Sequence, residues 1–334
     1  MNTAIVGTGS YLPAHVLTSV ELGERLGVGE RWITDKTLIR ERRVAAPDEA
    51  TSDLATRAAQ AALSAAGAQP LELDLIVLAT STPDRPIPAA ACTVQANLGA
   101  SHAVAFDVDA VCTGFIYALS VARAMLLEDR QADTAVVIGA DTYSRILDYT
   151  DRSTAALFGD GAGALVLRKC GHDGLFSTVL GTDGTLADLV QMPAGGSRTP
   201  PSADTVECGQ HYFAMRGREV RALTAKVVPQ LMADLLERAR LDLAQVDALV
   251  PHQANGIMLR DWASELGLRP GIMHTTVEHY GNTGAASVPI TLDHAVRGGS
   301  IHGGDTVVMV ALGGGVTWGG TAVTWVSPRD VRDY

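Results

Sequence analysis

Cysteine, aromatic residues and positive charge are all scarce in this sequence. Four cysteines are spread over 334 residues without a C-x-x-C pair, which excludes a dense disulfide framework and the usual zinc-finger spacing. We interpret them as reduced thiols. Against 37 aspartates and glutamates stand only 26 lysines and arginines, so the chain lacks the basic surface that binds nucleic acid. The cysteines are Cys92, Cys112, Cys170 and Cys208.

Long hydrophobic runs are also missing. The longest uncharged stretches, residues 86–106 and 306–328, are interrupted by proline, glycine, asparagine or glutamine and are poor candidates for membrane spans. Residues 1–7 lack the basic and apolar regions of a signal peptide. We therefore expect a cytoplasmic protein with no membrane partner. Its histidines and cysteines show no persuasive metal-ligand spacing, so no metal is expected.

Short β-rich runs alternate with longer runs of helical periodicity along the whole chain. The predicted strands are residues 3–7, 75–79, 103–108, 134–139, 163–167, 248–250, 307–312 and 321–326. The predicted helices are residues 52–66, 88–98, 113–128, 218–239, 255–266 and 285–297. This alternation predicts an α/β protein whose sheets are covered by helices on both faces.

The sequence also contains an internal repeat. The segment FDVDAVCTGFIYALSVARAM aligns without gaps with TVEHYGNTGAASVPITLDHA, which pairs Cys112 with Asn282 and Gly114 with Gly284. A strand, a glycine-rich turn and a second strand follow one another both in residues 133–167 and near the C-terminus. We interpret the chain as two similar halves, residues 1–170 and 171–334.

Cys112 lies where an alternating strand pattern gives way to a helical one. The first N–H groups of a helix have no partner and the helix dipole is positive there, which favours a thiolate. A buried structural cysteine is the alternative. His252 in LVPHQAN, Asn282 in HYGNTG and the glycines of ALGGG also lie at element ends. Together these residues predict a site built around a nucleophilic thiol.

On these motifs, together with GTGSYLP, IRER, FGDGAG and GGGVTWG, the chain resembles β-ketoacyl-acyl carrier protein (ACP) synthase III of the thiolase superfamily from end to end. The resemblance implies a five-layered αβαβα fold, a homodimer and a catalytic triad of Cys112, His252 and Asn282. It implies an acyl-enzyme made from an acyl thioester, without any cofactor. The N–H groups of Cys112 and Gly314 are the expected oxyanion hole.

The resemblance also assigns the substrate contacts. Trp32 and Arg152 match positions that sandwich the adenine of coenzyme A (CoA), and Lys36 and Asn255 belong to the same expected site. Lys36 replaces a common arginine, and Leu38 replaces a usual glycine. The expected acyl pocket comprises Ile87, Ala155, Ala156 and Leu157. Small or aliphatic residues at positions 87, 155 and 156 predict room for an acyl group larger than acetyl.

The helix after PHQAN departs from the family pattern. Many members carry basic residues there, for docking the acidic acyl carrier protein, whereas this chain carries Asp261 and Glu265. Like charges oppose docking, so we expect ordinary carrier-protein docking to be impaired. Arg216, Arg218 and Arg221 are either a substitute basic surface or a solvated helix face.

Three functions remain open at this level. The leading one is condensation of an acyl-CoA with malonyl-ACP through acyl-Cys112, giving β-ketoacyl-ACP, CoA and CO₂ and priming fatty acid or polyketide synthesis. The second moves the acyl group from a CoA or ACP thioester to a hydroxyl or amine of a small metabolite, with His252 as general base. The third is a non-catalytic thioester-binding subunit. The acyl group and its acceptor are not identified by the sequence.

Overall fold

The computed structural model describes residues 2–171 and 174–326. The strands are β1 (Asn2–Tyr11), β2 (His15–Thr18), β3 (Glu41–Val44), β4 (Leu75–Ala79), β5 (Val104–Val108), β6 (Thr134–Thr142), β7 (Asp160–Cys170), β8 (Phe176–Thr182), β9 (Val190–Gln191), β10 (Ala214–Met215), β11 (Ala248–Pro251), β12 (Thr306–Gly313) and β13 (Thr317–Thr324). The helices are α1 (Ser19–Arg25), α2 (Glu30–Thr37), α3 (Thr51–Ala66), α4 (Ala90–Leu98), α5 (Gly114–Glu128), α6 (Arg152–Ala155), α7 (Ala203–Glu207), α8 (Gly217–Ala239), α9 (Gly256–Glu265), α10 (Val277–Tyr280) and α11 (Ser287–Arg297).

The first sheet has the strand order β1-β7-β6-β4-β5. β4 runs parallel to β5 and β6, whereas β7 runs antiparallel to β6 and β1. Every residue of β4 and of β6 is buried. Burial on both faces explains why these strands read as continuous apolar runs rather than as an alternation.

The second sheet repeats this pattern with the order β11-β12-β13-β8. β11 is parallel to β12, and the pairs β12–β13 and β13–β8 are antiparallel. A parallel bridge between Leu249 and Met273 lies where β5 lies in the first sheet. The last strand of the first sheet ends at Cys170, and the first strand of the second sheet begins at Phe176.

Helices separate and cover the two sheets. α3 covers the outer face of the first sheet, α5 and α11 lie between the sheets, and α8 covers the outer face of the second. This is the αβαβα arrangement that the sequence analysis expects. The segment Val111–Glu128 is apolar and long enough to cross a membrane, but it contains α5, whose Phe115 and Leu119 are fully buried between the sheets. Core packing therefore accounts for its apolar character.

The internal repeat has a different register from the predicted one. A 3₁₀ turn, Val111–Thr113, leads into α5, and a second one, Gly284–Ala286, leads into α11. Both begin in the left-handed region, with φ of 49° at Val111 and 58° at Gly284. Cys112 therefore corresponds to Ala285, three residues beyond Asn282. The predicted pairing was wrong because it matched Gly284 to Gly114, whose φ of −50° is ordinary helical backbone.

The most extensive prediction errors concern half-exposed elements. β8 was not predicted because its residues are partly exposed, with a glycine near the end, so it lacks both a buried run and a clear alternation. The two-stranded sheet of β2 and β3 and the helices α1 and α2 between them were missed because these elements are short. Helices predicted from long periodic segments have bounds within two residues of the observed ones.

Glycines allow helices to approach the first sheet closely. A Cβ added at Gly9 in β1 would lie 2.3 Å from the backbone nitrogen of Ala62 in α3, and one at Gly163 in β7 would lie 2.6 Å from that of Ile290 in α11. These contacts are with backbone, which cannot rotate away. The positions therefore require glycine for close approach rather than for a special backbone conformation.

We predict that Gly9→Ala lowers the free energy of unfolding by about 2 kcal/mol or more, because α3 must move away from β1. Urea denaturation measures the change. Gly196→Ala is the matched control, since its Cβ meets nothing within 4 Å. Equal stability of the two variants would contradict the close approach.

Candidate active site

The turn between β5 and α5 presents Cys112 to a cavity. Cys112 is the middle residue of the 3₁₀ turn and is only 8% exposed. Val111 precedes it with a positive φ, which is uncommon for a β-branched residue and indicates local strain at the site. The first N–H groups of a helical turn have no partner within the turn, so the Cys112 N–H is available as a donor to groups in the cavity, including its own sulfur.

Burial keeps the Cys112 side chain a thiol in the resting state. Desolvation raises the pKa of the thiol to about 12, and the nearby Asp141 carboxylate acts in the same direction, while a hydrogen bond from Tyr143 lowers it. The position at a helix end predicted thiolate character, whereas burial acts on the pKa of the thiol in the opposite direction.

His252 follows β11, and its backbone N–H donates to the carbonyl of Val310, 2.7 Å away. Its Nδ1 lies 2.6 Å from the hydroxyl oxygen of Ser287, the first residue of α11. Burial lowers the pKa of the imidazole to about 4, so the ring is neutral near pH 7. The site therefore contains an uncharged histidine.

The hydrogen bonds of Ser287 assign the tautomer of His252. The Ser287 oxygen accepts from the backbone N–H of Gln253 at 3.3 Å, and its own proton is directed to Nδ1 of His252. A neutral ring that accepts at Nδ1 carries its proton on Nε2. The assigned tautomer thus gives the cavity an imidazole N–H donor. Ser287 was not predicted as a site residue, although it lies within the repeat segment TVEHYGNTGAASVPITLDHA.

Asn282 is fixed at both its backbone and its side chain. Its N–H donates to the Leu157 carbonyl at 2.9 Å, and its carbonyl accepts from Gly159 N–H at 3.0 Å. The side-chain oxygen accepts from the N–H of Gly284 at 3.0 Å. Because the oxygen is held in this way, the amide NH₂ group is the part that faces the cavity.

One cavity of about 250 Å³ brings the predicted triad together. Cys112, His252 and Asn282 all line it, and Gly314 lines it beside them. A Cβ at the neighbouring Gly313 would lie 2.9 Å from the nitrogen of Cys112, so the glycine turn runs directly against the nucleophile's backbone. Among the residues that the structure describes, no cluster of metal-ligating side chains is found.

The predicted CoA residues lie around the same cavity, with one difference. Trp32, Lys36 and Arg152 line it, with the Lys36 Nζ atom 4.7 Å and the Arg152 guanidinium carbon 5.3 Å from the centre of the Trp32 ring. Asn255 also lines it, but its oxygen accepts from Ile257 N–H at 2.8 Å and caps α9. Its NH₂ group donates to the Lys36 carbonyl at 3.1 Å, so Asn255 mainly holds α2 and α9 together.

The predicted acyl pocket is only partly reproduced in the single chain. Ala156 and Leu157 line the cavity, whereas Ala155 is buried behind it and Ile87 is 84% exposed on a loop outside it. In their place, Phe158 and Phe213 line the inner wall.

These phenylalanines belong to an aromatic cluster that the sequence analysis missed. Phe158 stacks on Tyr143 at 4.5 Å and meets Phe213 edge-on at 5.0 Å between ring centres. Phe158 and Phe213 of this cluster line the same cavity as Ala156 and Leu157.

Comparisons with known proteins agree with this geometry. The family model described as 3-oxoacyl-[acyl-carrier-protein (ACP)] synthase III matches residues 106–184, and the model of its C-terminal part matches residues 236–325. The chain is 50% identical over 324 residues to acetoacetyl CoA synthase NphT7 of Streptomyces sp. (strain CL190), covering 96% of this chain and 98% of that protein. It is 45% identical over 322 residues to β-ketoacyl-[acyl-carrier-protein] synthase III of Caldanaerobacter subterraneus, covering 96% and 97%.

Solved structures have the same fold over the whole length. 3-Oxoacyl-[acyl-carrier-protein] synthase III from Aquifex aeolicus superposes with a TM-score of 0.89 at 38% identity, covering 97% of this chain and 100% of the other. The priming β-ketosynthase of the R1128 polyketide pathway gives a TM-score of 0.90 at 33% identity, covering 98% and 97%.

We predict that ¹⁵N NMR of the His252 ring detects a neutral imidazole with its proton on Nε2 from pH 8 down to pH 5, because its pKa is lowered to about 4. Ser287→Ala removes the group that fixes Nδ1, and a mixture of the two neutral tautomers is expected. An imidazolium signal at pH 6 in the wild type, or an unchanged tautomer in Ser287→Ala, would contradict this assignment.

Proposed function

The chain belongs to the 3-oxoacyl-[acyl-carrier-protein] synthase III family, and from that premise we propose how its residues carry out the reaction. It is an acyltransferase that performs the condensation typical of this family, in which an acyl group is joined to a malonyl unit with loss of CO₂. The observation that carries the proposal is the convergence of a thiol, a neutral imidazole and a carboxamide on one buried cavity.

In the first half-reaction, the sulfur of Cys112 attacks the carbonyl carbon of an acyl-CoA. The S–C bond to Cys112 forms, the C–S bond to CoA breaks, and the thiol proton ends on the released CoA. The N–H groups of Cys112 and Gly314 stabilise the oxyanion of the tetrahedral intermediate. The position of Gly314 beside the nucleophile in the cavity lining supports this role.

In the second half-reaction, the carboxylate of a malonyl thioester leaves as CO₂ and its electron pair forms an enolate. Nε2–H of His252 and the NH₂ group of Asn282 donate to the thioester oxygen as charge develops there. The enolate carbon attacks the acyl carbonyl on Cys112, the C–S bond to the enzyme breaks, and the released sulfur takes up a proton from solvent to restore the thiol. Neutral donors suit this step because neither has to lose a proton.

The lowered pKa of His252 favours condensation over transfer to a hydroxyl or amine. A general base works best when its pKa lies near the operating pH, whereas the pKa of His252 is lowered to about 4 by burial. Such a ring is a weak base but remains a hydrogen-bond donor. The intact cysteine also argues against a non-catalytic thioester-binding subunit.

The acyl donor in this proposal is a CoA thioester. Its adenine stacks on Trp32, and Arg152 and Lys36 supply positive charge at the same place, as their distances of 5.3 Å and 4.7 Å from the ring centre support. No cofactor takes part in the proposed steps.

We propose that the malonyl group is carried by CoA, either in addition to acyl carrier protein or in its place. Arg221 in α8 forms a salt bridge of 2.6 Å with Asp261 in α9, and Arg216 lies 3.9 Å from Glu219. Acidic partners therefore neutralise two of the arginines considered above as a substitute docking surface. The 50% identical relative is named for making acetoacetyl CoA, a CoA-bound product.

We also infer a cytoplasmic homodimer. β5 is an edge strand of the first sheet, and its Val104 is 58% exposed, as is the nearby loop residue Ile87 at 84%. An unpaired edge with exposed apolar side chains favours pairing with a second copy of the chain. Cys92 and Cys208 are exposed free thiols, which agrees with a reducing compartment.

We predict that Asn282→Ala retains acylation of Cys112 but slows decarboxylation by about 100-fold, because only the second step uses its NH₂ group. Intact-protein mass spectrometry after mixing with acetyl-CoA measures the first step, and release of labelled CO₂ from a malonyl thioester measures the second. Cys112→Ala is the control that loses the acyl mass altogether. Equal impairment of both steps in Asn282→Ala would contradict the assigned role.

We predict that kcat/KM is at least about tenfold higher with malonyl-CoA than with malonyl-ACP, because Asp261 neutralises Arg221 and so removes a positive charge that would attract the acidic carrier. Asp261→Lys should raise kcat/KM for malonyl-ACP about tenfold more than it raises kcat/KM for malonyl-CoA. Glu237→Lys makes the same charge change about 24 Å along α8 from Arg221 and serves as the control. A wild-type enzyme that prefers malonyl-ACP would contradict the predicted preference for a CoA-borne acceptor.

A further inference from the structure

Arg42 in β3 is a buried cation. It is only 1% exposed, and it forms no salt bridge with any residue that the structure describes. Burial lowers the pKa of its guanidinium to about 10, so the group is still charged near pH 7. Burying a charge is costly, and here two carbonyls and a hydroxyl offset that cost in place of a carboxylate.

The guanidinium of Arg42 joins two separate parts of the chain. Its Nη1 atom donates to the Leu17 carbonyl at 3.3 Å and to the Ser19 hydroxyl oxygen at 3.1 Å. Both acceptors belong to residues 15–44, which we call the N-terminal lobe and which contain β2, α1, α2 and β3. Its Nη2 atom donates to the carbonyl of Ala156 at 2.8 Å, outside the lobe.

These two parts of the chain carry the two sides of the proposed adenine site. Trp32 lies in α2 of the N-terminal lobe. Arg152 is the first residue of α6, and Ala156 directly follows that helix. The Arg152 guanidinium carbon lies 5.3 Å from the centre of the Trp32 ring. The hydrogen bond from Arg42 to Ala156 therefore joins the element that carries Trp32 to the one that carries Arg152.

Packing at the same junction is apolar and close. Ala156 belongs to one buried cluster with Leu17 and Ile33 of the N-terminal lobe. A Cβ added at Gly159 would lie 2.9 Å from the Cβ of Arg42, so the stem of the arginine lies directly against backbone. Apolar contacts hold the lobe in place without fixing its orientation, whereas the planar fork of a guanidinium has fixed donor directions.

We propose that Arg42 is a positioning residue for the CoA donor: by holding the N-terminal lobe on Ala156, it keeps Trp32 and Arg152 aligned at the nucleotide end of the cavity. Arg42 does not line the cavity, so it acts through these residues rather than on the substrate. The inference rests on the proposed use of a CoA thioester as acyl donor.

Two acetyl thioesters test this role. Acetyl-CoA carries the nucleotide, whereas acetyl-N-acetylcysteamine carries only the thiol end of the pantetheine arm. Intact-protein mass spectrometry measures the acylation efficiency of Cys112 with each, as the rate constant divided by the half-saturating concentration. Arg42→Met keeps an unbranched stem and removes the donors. We expect its efficiency to fall about tenfold with acetyl-CoA and to stay within about twofold with the short thioester.

Arg42→Lys is the conservative variant. It keeps the charge but not the fork, so one ammonium does not reach the acceptors on both sides of the junction. We expect its efficiency with acetyl-CoA to lie between those of the wild type and Arg42→Met, about threefold below the wild type. If Arg42→Met does not fold, Arg42→Lys decides the question by the same comparison of the two thioesters.

Two variants serve as controls. Arg43→Met removes the next arginine of β3, which lies on the opposite face of the strand and donates to the Pro13 carbonyl at 3.3 Å. It should leave both efficiencies within about twofold of the wild type. Trp32→Ala removes the stacking surface itself and should lower the efficiency about tenfold with acetyl-CoA alone.

Each failure has its own signature. A wild-type enzyme that gains no acyl mass on Cys112 overturns the proposed function. A Trp32→Ala variant that uses acetyl-CoA as well as the wild type does overturns the proposed CoA contact, and the role of Arg42 with it. If Trp32→Ala behaves as expected, an Arg42 variant that loses nothing, or that loses equally with both thioesters, overturns the role of Arg42 alone.

Discussion

The buried carboxylate of Asp141 joins the two halves of the chain at the reaction centre. From the N-terminal half it accepts the N–H of Ser81 at 2.9 Å and the hydroxyl of Thr82 at 3.0 Å, and from the C-terminal half the N–H of Ala285 at 2.8 Å. Since Ala285 lies three residues after Asn282, this bond sets the distance between the carboxamide and the thiol. The negative charge that holds the site together also disfavours a thiolate in it.

The chemistry of the site follows from the burial of a carboxylate close to a thiol. Desolvation in this cavity raises the pKa of Cys112 to about 12 and lowers the pKa of His252 to about 4. The two side chains therefore do not form a thiolate–imidazolium ion pair. The groups of the cavity act as neutral donors, whose effect on a developing enolate is large in a low dielectric. Dryness also protects a thioester on Cys112 from hydrolysis. Condensation suits such a cavity better than general-base transfer does.

The sequence predicted the groups that lie at the ends of elements, and missed those that depend on tertiary packing. Cys112, His252 and Asn282 stand out because each interrupts a recognisable pattern. Tyr143 and Ser287 do not, since an aromatic residue after a strand and a serine at the start of a helix are common. Ile87 was predicted from an aligned position, and alignment does not say which way a loop projects. Long buried strands and helices were predicted well because their periodicity is repeated over many residues.

The corrected register of the repeat explains why the halves differ in function. The same left-handed turn occurs twice, at Val111 and at Gly284. At Gly284 a Cβ would lie 2.2 Å from Oδ2 of Asp141 and 2.4 Å from the ring of Tyr143, so this turn is confined to glycine. The N-terminal turn carries a side chain and presents a sulfur next to it. The C-terminal turn has a glycine at its first position, and the backbone N–H of the next residue, Ala285, donates to Asp141. The two turns thus share a backbone conformation, and one presents the Cys112 sulfur while the other holds Ala285 against Asp141.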